Sequence, residues 1–168
     1  SLLDKGAQVR IIDVVDDPKR DSRTEFYQID ILDKEKMTQA MVGVDYVHHN
    51  AALVPLKKAG EQFWQVNVEG TRTTLEAAKE AGVKHFSHMS SSAIFGTIND
   101  QDCPITDKTP TRPIEIYGRS KLEGEKIIIQ EMENPQGMSC SIIRPRTIIG
   151  TERLGIFQVL FEWISEGR

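Results

Sequence analysis

Short strand-like stretches alternate with helix-like stretches along this chain, and no other feature narrows the fold as much. The strand candidates are Gln8 to Val15, Glu25 to Asp30, Asp45 to Ala52, His85 to Ser90 and Ser139 to Arg144. Several are rich in the β-branched or aromatic side chains that suit a pleated, half-buried surface. Helix candidates lie between them. Asp33 can cap "KEKMTQAMVG", which stops at Gly43. The stretch "EQFWQVNVEGTRTTLEAAKEAG" carries an apolar stripe through Phe63, Val66, Leu75 and Ala78 and stops at Gly82. A third helix runs from about Tyr117 to Met132 and a fourth from about Leu154 to Glu166. Repeated β-α-β units predict the α/β class, as a Rossmann-like, doubly wound parallel sheet in three layers. Ligands of such sheets bind at the carboxyl ends of the strands.

Composition closes off other roles. The 168 residues amount to one domain, and a net charge of -4 gives no field to attract nucleic acid or an anionic membrane. No apolar run approaches the roughly 20 residues of a membrane span. Cys103 and Cys140 lie far apart and fit neither a disulfide framework nor a CxxC metal site. They read as free thiols of a reducing, cytoplasmic compartment. The opening "SLLDKGAQVRIIDVVDD" reads as a helix end, a stop at Gly6 and then a strand, as if the chain began in mid-fold.

Polar residues gather at the strand ends. In a dinucleotide-binding sheet, an acid ending the second strand accepts hydrogen bonds from the adenosine ribose hydroxyls and repels a 2'-phosphate. Asp13 is so placed, which favours NAD over NADP; the plain alternative is an acidic turn through Asp16 and Asp17. The strand "DYVHHNAA" ends in Ala51 and Ala52, small enough for a ligand to approach the backbone. His48 and His49 are adjacent, so they point to opposite faces of a strand, and no third ligand stands at useful spacing for a metal.

The strongest constellation is "YGRSK", which puts Tyr117 and Lys121 four residues apart on one helix face. An ammonium beside a phenol favours the phenolate, so such a pair suits proton transfer in alcohol/carbonyl interconversion. Its plain alternative is a solvated helix face. Upstream, "MSSSAIFG" places three serines at a strand end with no His/Asp partners for acyl transfer. That leaves a capping or hydrogen-bonding role.

These motifs, in this order, resemble the extended short-chain dehydrogenases/reductases, the NAD-dependent epimerase/dehydratase family. The resemblance rests on Asp13, "DILD" from Asp30, "HNAA" from His49, "NVEGT" from Asn67, "MSSSAIFG", "YGRSK" and "IIRPRTIIG" from Ile142. It implies Tyr117 as catalytic acid/base, Lys121 as its partner and Ser91 as the hydroxyl that hydrogen-bonds the reacting oxygen. It further implies Asp30 and Ile31 as adenine-side contacts, and Asn50, Ala51, Ala52 and Ser90 along the cofactor groove. Asn67 would tie the helix to the neighbouring strand near the cofactor, while Arg144, Pro145 and Thr147 would run past the nicotinamide. Arg146 and Thr147 depart from the residues most often seen in that segment. The implied activity is that of an NAD-dependent oxidoreductase or epimerase acting on a small molecule, nucleotide sugars leading. Dehydration is disfavoured, because Ser92 and Ala93 stand where the sugar dehydratases carry an Asp-Glu pair.

Against the family pattern, the glycine-rich phosphate loop with its strand, and the substrate lobe, are both missing. Residues 1–168 would then be a partial NAD(P)-binding domain lacking its first, central strand. Either Gln8 to Val15 pairs directly with Asp45 to Ala52, or the sheet has a gap. The stretch "LGIFQVLFEWISEGR" is apolar nearly all round; it reads first as a core helix and second as a homodimer interface. A non-catalytic NAD(P) sensor and an inactive truncation are the alternative readings of the whole.

Overall fold

A computed structural model describes residues 1–54, 60–135, 137–148 and 156–167. The parallel strands are β1 (Arg10–Asp13), β2 (Glu25–Gln28), β3 (Tyr46–His49), β4 (His85–Met89) and β5 (Ser139–Ile143). The helices are α1 (Lys34–Met41), α2 (Gln62–Trp64), α3 (Gly70–Glu80), α4 (Ile116–Glu133) and α5 (Ile156–Ser165). Every strand expected from the sequence forms, trimmed at its ends.

Two sheets result, β1-β2 and β3-β4-β5, so of the two arrangements open to the sequence the gap is realised. Registers are Arg10 opposite Glu25, Tyr46 opposite His85 and His85 opposite Ser139. Packing of α1 on α3 joins the halves. Arg10 of β1 adds to this, donating through Nη1 to the carbonyls of Ala40 and Val42 at the end of α1, at 2.9 and 2.7 Å. A cation suits that helix end because the last carbonyls of a helix lack partners.

Side-chain alternation sorts the three-stranded sheet. Val47, Phe86, Cys140 and Ile142 face the core with Ala77, Ala78 and Ile128. Phe86 and Ile128 are fully buried, each contributing about 1.5–3 kcal/mol of transfer free energy. Tyr46, His48, His85, Ser139 and Ser141 occupy the opposite face, where His85 bridges the two serine hydroxyls at 2.8 and 3.0 Å.

α1 starts as the sequence predicts, with the Asp33 carboxylate accepting from the Lys36 amide. The stretch from Gln62 to Glu80 departs from one uniform helix: Gln65–Glu69 forms a π-helical turn between α2 and α3. Such turns widen a helix locally and concentrate at functional sites. α5 forms, with Leu154 and Gly155 of the expected helix outside the described residues. Its Leu160, Phe161, Trp163 and Ile164 are 43 to 64% exposed, so a core position for this helix is not met by the described residues. No described helix is long and apolar enough to cross a membrane.

Candidate active site

The carboxyl ends of β3 and β4, the start of α4 and the segment after β5 converge. β4 runs out into the serine run, and Ser91, in extended conformation, caps a 3-10 turn over Ser92–Phe95 by accepting the Ala93 amide at 3.2 Å. The cap uses a lone pair of Oγ and leaves its O–H free to donate. The turn is fixed from behind, where the amides of Ser90 and Ser92 donate to the carbonyls of Ile143 and Pro145 at 2.8 and 2.9 Å. Pro145 thus enters through its backbone. At the far end, Gly96 sits at φ +63°, and a Cβ there would overlap the Arg112 carbonyl oxygen.

Gly118 explains how α4 meets this turn. A Cβ on Gly118 would lie 2.6 Å from the Ala93 carbonyl oxygen, closer than atoms approach, so only glycine lets the helix settle there. The contact brings the neighbouring Tyr117 up to the serine turn. Tyr117 is half-buried, its ring edge-on to Phe63 at 6.4 Å between centroids. One turn on, Lys121 is 2% exposed. Burial pushes its ammonium down to about 8, against the opposing pull of Glu125. Beneath it, His49 and His88 stack at 5.6 Å. Burial, followed by the Lys121 charge, depresses both, His49 to about 3 and His88 to about 2. His49 meets the Thr71 hydroxyl at 3.1 Å, whereas both ring nitrogens of His88 and the Ser90 hydroxyl have no hydrogen-bond partner among the described residues.

Asn67 sits in the π turn and is fully buried. Its Oδ1 accepts from the Leu53 amide at 2.8 Å, and its Nδ2 donates to the Leu53 carbonyl and to Ser120 Oγ at 3.2 and 3.0 Å. Ser120 in turn donates to the Tyr117 carbonyl at 2.8 Å. One amide therefore fixes the loop after β3 against the helix that carries Tyr117 and Lys121.

The other residues singled out by sequence fall as follows. Asp13 and Asp30 end β1 and follow β2, each bent over its own turn by the amides of Val15 and Leu32. Asn50 is exposed and Ala51 and Ala52 are half-buried just past β3. Ile31 buries its side chain in the core against Gly70. Arg144 is engaged inside the protein, paired through two bonds with the fully buried Glu125 and lying over the Phe95 ring at 5.6 Å. Thr147 is exposed and lines a cavity of about 360 Å³ with Ser91 and Arg146. Gly118 and Glu125 escaped the sequence reading. Both stand inside "YGRSKLEGE", Glu125 four residues after Lys121 and on its helix face, so a signal was present.

The model of the NAD dependent epimerase/dehydratase family matches residues 1–165. The chain belongs to that family. Within it, the chain is 40% identical over 166 residues to an uncharacterized protein of Sinorhizobium fredii, covering 99% of this chain and 41% of the relative. A 3-beta-hydroxysteroid dehydrogenase of Mycolicibacterium neoaurum is 29% identical, with 99% and 48% covered. The chain thus spans about half the length of these relatives. Among solved structures, a short-chain dehydrogenase/reductase superfamily protein from Agrobacterium tumefaciens with bound NAD superposes with a TM-score of 0.75 at 30% identity, over 85% of this chain and 43% of that one. The UDP-glucuronic acid 4-epimerase from Bacillus cereus, in complex with NAD, gives 0.74 at 25% identity, over 87% and 47%. Family members include oxidoreductases, epimerases and dehydratases, and the parallel α/β architecture described above is theirs.

Proposed function

We propose that this chain is the NAD-binding and catalytic part of a cytoplasmic oxidoreductase or epimerase that interconverts an alcohol and a carbonyl on a small molecule. The observation carrying the reading is the seating of α4 on the serine turn through Gly118, with Tyr117 beside that turn and Lys121 buried one turn on.

The residues at the strand ends suit a dinucleotide. Asp13 offers a second carboxylate oxygen beyond the one bound to Val15, as an acceptor for ribose hydroxyls. Ala51 and Ala52 leave the backbone after β3 approachable, and the unpartnered Ser90 hydroxyl lies behind them at the end of β4. When bound, NAD supplies the redox chemistry at its nicotinamide. The chain's own residues orient the substrate and move the proton. Ser91 donates its free O–H to the substrate oxygen, and Tyr117 takes the proton from that oxygen or returns it. Lys121, held against the low-dielectric interior, places a positive charge behind the phenol and can hold a ribose hydroxyl. Asn67 keeps the two walls of the groove in register. Arg144, being tied to Glu125, acts by holding the segment that carries Pro145 and Thr147.

Nucleotide sugars are the leading substrate class, supported by the Bacillus epimerase, and hydroxysteroids the second, supported by the Mycolicibacterium relative. The test is Tyr117→Phe in the intact protein, with NADH formation followed against a panel of both classes. Turnover falls at least about a hundredfold while calorimetric NAD binding is kept. Wild-type turnover by that variant overturns the reading.

A further inference from the structure

The cavity beside Ser91 carries an exposed cation, Arg146, on its wall. Arg144 is paired with Glu125, Arg10 with Glu25, Arg20 with Asp16, and Arg112 with Asp102. Arg146, two residues past Arg144, has no hydrogen-bond or ion-pair partner among the described residues. It stands on the wall of the 360 Å³ cavity, with Ser91, Ser92 and Thr147 supplying hydroxyls and Ile98 and Ile105 an apolar side. None of the described lining residues is acidic. The volume is at the lower end of the roughly 300–1,000 Å³ of small-molecule pockets.

We propose that Arg146 binds a carboxylate of the substrate, close to the carbon whose oxygen Ser91 and Tyr117 handle. A guanidinium presents a planar fork that matches a carboxylate in two parallel hydrogen bonds. One arginine, with no lysine or second arginine among the described lining residues, matches a single negative charge rather than a doubly charged phosphate. Because Ser91 and Arg146 share one small cavity, the acid and the reacting oxygen sit on the same or neighbouring parts of the molecule. The isoleucines cover the rest of its body. Arg146 thus sets specificity, selecting acids over their neutral counterparts. This rests on the oxidoreductase reading above only for the identity of the reacting carbon; the carboxylate site itself does not need Tyr117.

The test uses the intact protein and paired probes, D-glucuronate with D-glucuronamide and cyclohexanecarboxylate with cyclohexanecarboxamide. The Nε–H signal of Arg146, assigned by its loss in Arg146→Lys, is followed by NMR. At least one acid gives a saturable shift and its amide gives none, and affinity for that acid drops about tenfold or more in Arg146→Gln while NAD binding stays unchanged. Arg146→Lys recovers part of the affinity, since it keeps the charge but loses the fork. Acids and amides binding alike in both pairs, or acid affinity unchanged in Arg146→Gln, overturns the proposal. Inorganic phosphate run in parallel and binding tighter than either acid also overturns it. Tyr117→Phe keeps the acid-dependent shift, so a failure of the catalytic reading is read separately from a failure of this one.

Discussion

Arg144 closes on the buried carboxylate of Glu125 with two hydrogen bonds, Nε to Oε1 at 2.9 Å and Nη2 to Oε2 at 2.7 Å. The partners are unequal, since Glu125 is fully buried and the Arg144 side chain is 28% exposed. Removing the arginine strands a charge with no route to water, whereas removing the carboxylate leaves a cation that reaches it. Arg144→Met is expected to cost about 3–5 kcal/mol, Glu125→Met less, and the double variant less than the sum. Urea unfolding of the four proteins measures the cycle.

Gly118→Ala sets helix propensity against fit. Alanine favours a helix over glycine by about 1 kcal/mol, but here its methyl meets the Ala93 carbonyl. The expected outcome is a net loss of about 1–3 kcal/mol together with a fall in turnover, as α4 lifts Tyr117 from the serine turn. Thermal unfolding and steady-state rates measured side by side check both.

Acid removes stability through His49 and His88. Both are held neutral in the folded protein, near 3 and 2, against an ordinary 6.5. Above pH 6.5 neither state binds the proton and nothing is lost. Below it the unfolded chain takes up protons that the folded chain refuses, so stability falls by up to about 1.4 kcal/mol per pH unit for each ring. Urea midpoints between about pH 7 and pH 4 should decline, and His88→Leu should flatten the decline.

Lys121 is lowered by the same cause but has a carboxylate beside it. Burial lowers it to about 8, and the Glu125 carboxylate holds it up. Neutralising that carboxylate in Glu125→Gln removes the supporting charge, so the kcat/KM limb belonging to Lys121 should move to lower pH. The pH profiles of the two proteins, compared in one buffer series, decide it.

Local patterning made much of this legible. β-branched runs marked the strands, Asp33 marked a helix start, and the four-residue spacing placed Tyr117 and Lys121 on one face. What escaped depends on partners far away in sequence. A period of 3.6 residues does not register the extra residue per turn at Gln65–Glu69, so the widening that seats Asn67 was invisible. The burial of Ile31 against Gly70 was equally hidden, since the pairing of an isoleucine with a glycine thirty-nine positions away leaves no local pattern. Arg144 stands in a motif that the family resemblance assigns to the cofactor, while the carboxylate that claims its side chain lies on α4. The sequence left open whether the sheet would close across its middle, because apolar strand composition is the same with or without a hydrogen-bonded neighbour.

Although β1-β2 and β3-β4-β5 share no ladder, one apolar core runs across the split, with Ile31 in the same cluster as Phe86 and Ile128 and with Ile12 and Ile29 packed against it. No ladder bond crosses between them among the described residues, and the join is carried by that core, by α1 against α3 and by Arg10 on the end of α1. With β4 paired on both sides and β1 and β2 on one side each, amide exchange at Ile11, Ile12, Phe26 and Tyr27 is expected to be faster than at Phe86. The strand that carries Asp13 is thereby held to the rest of the fold through the inward side chain of Ile12.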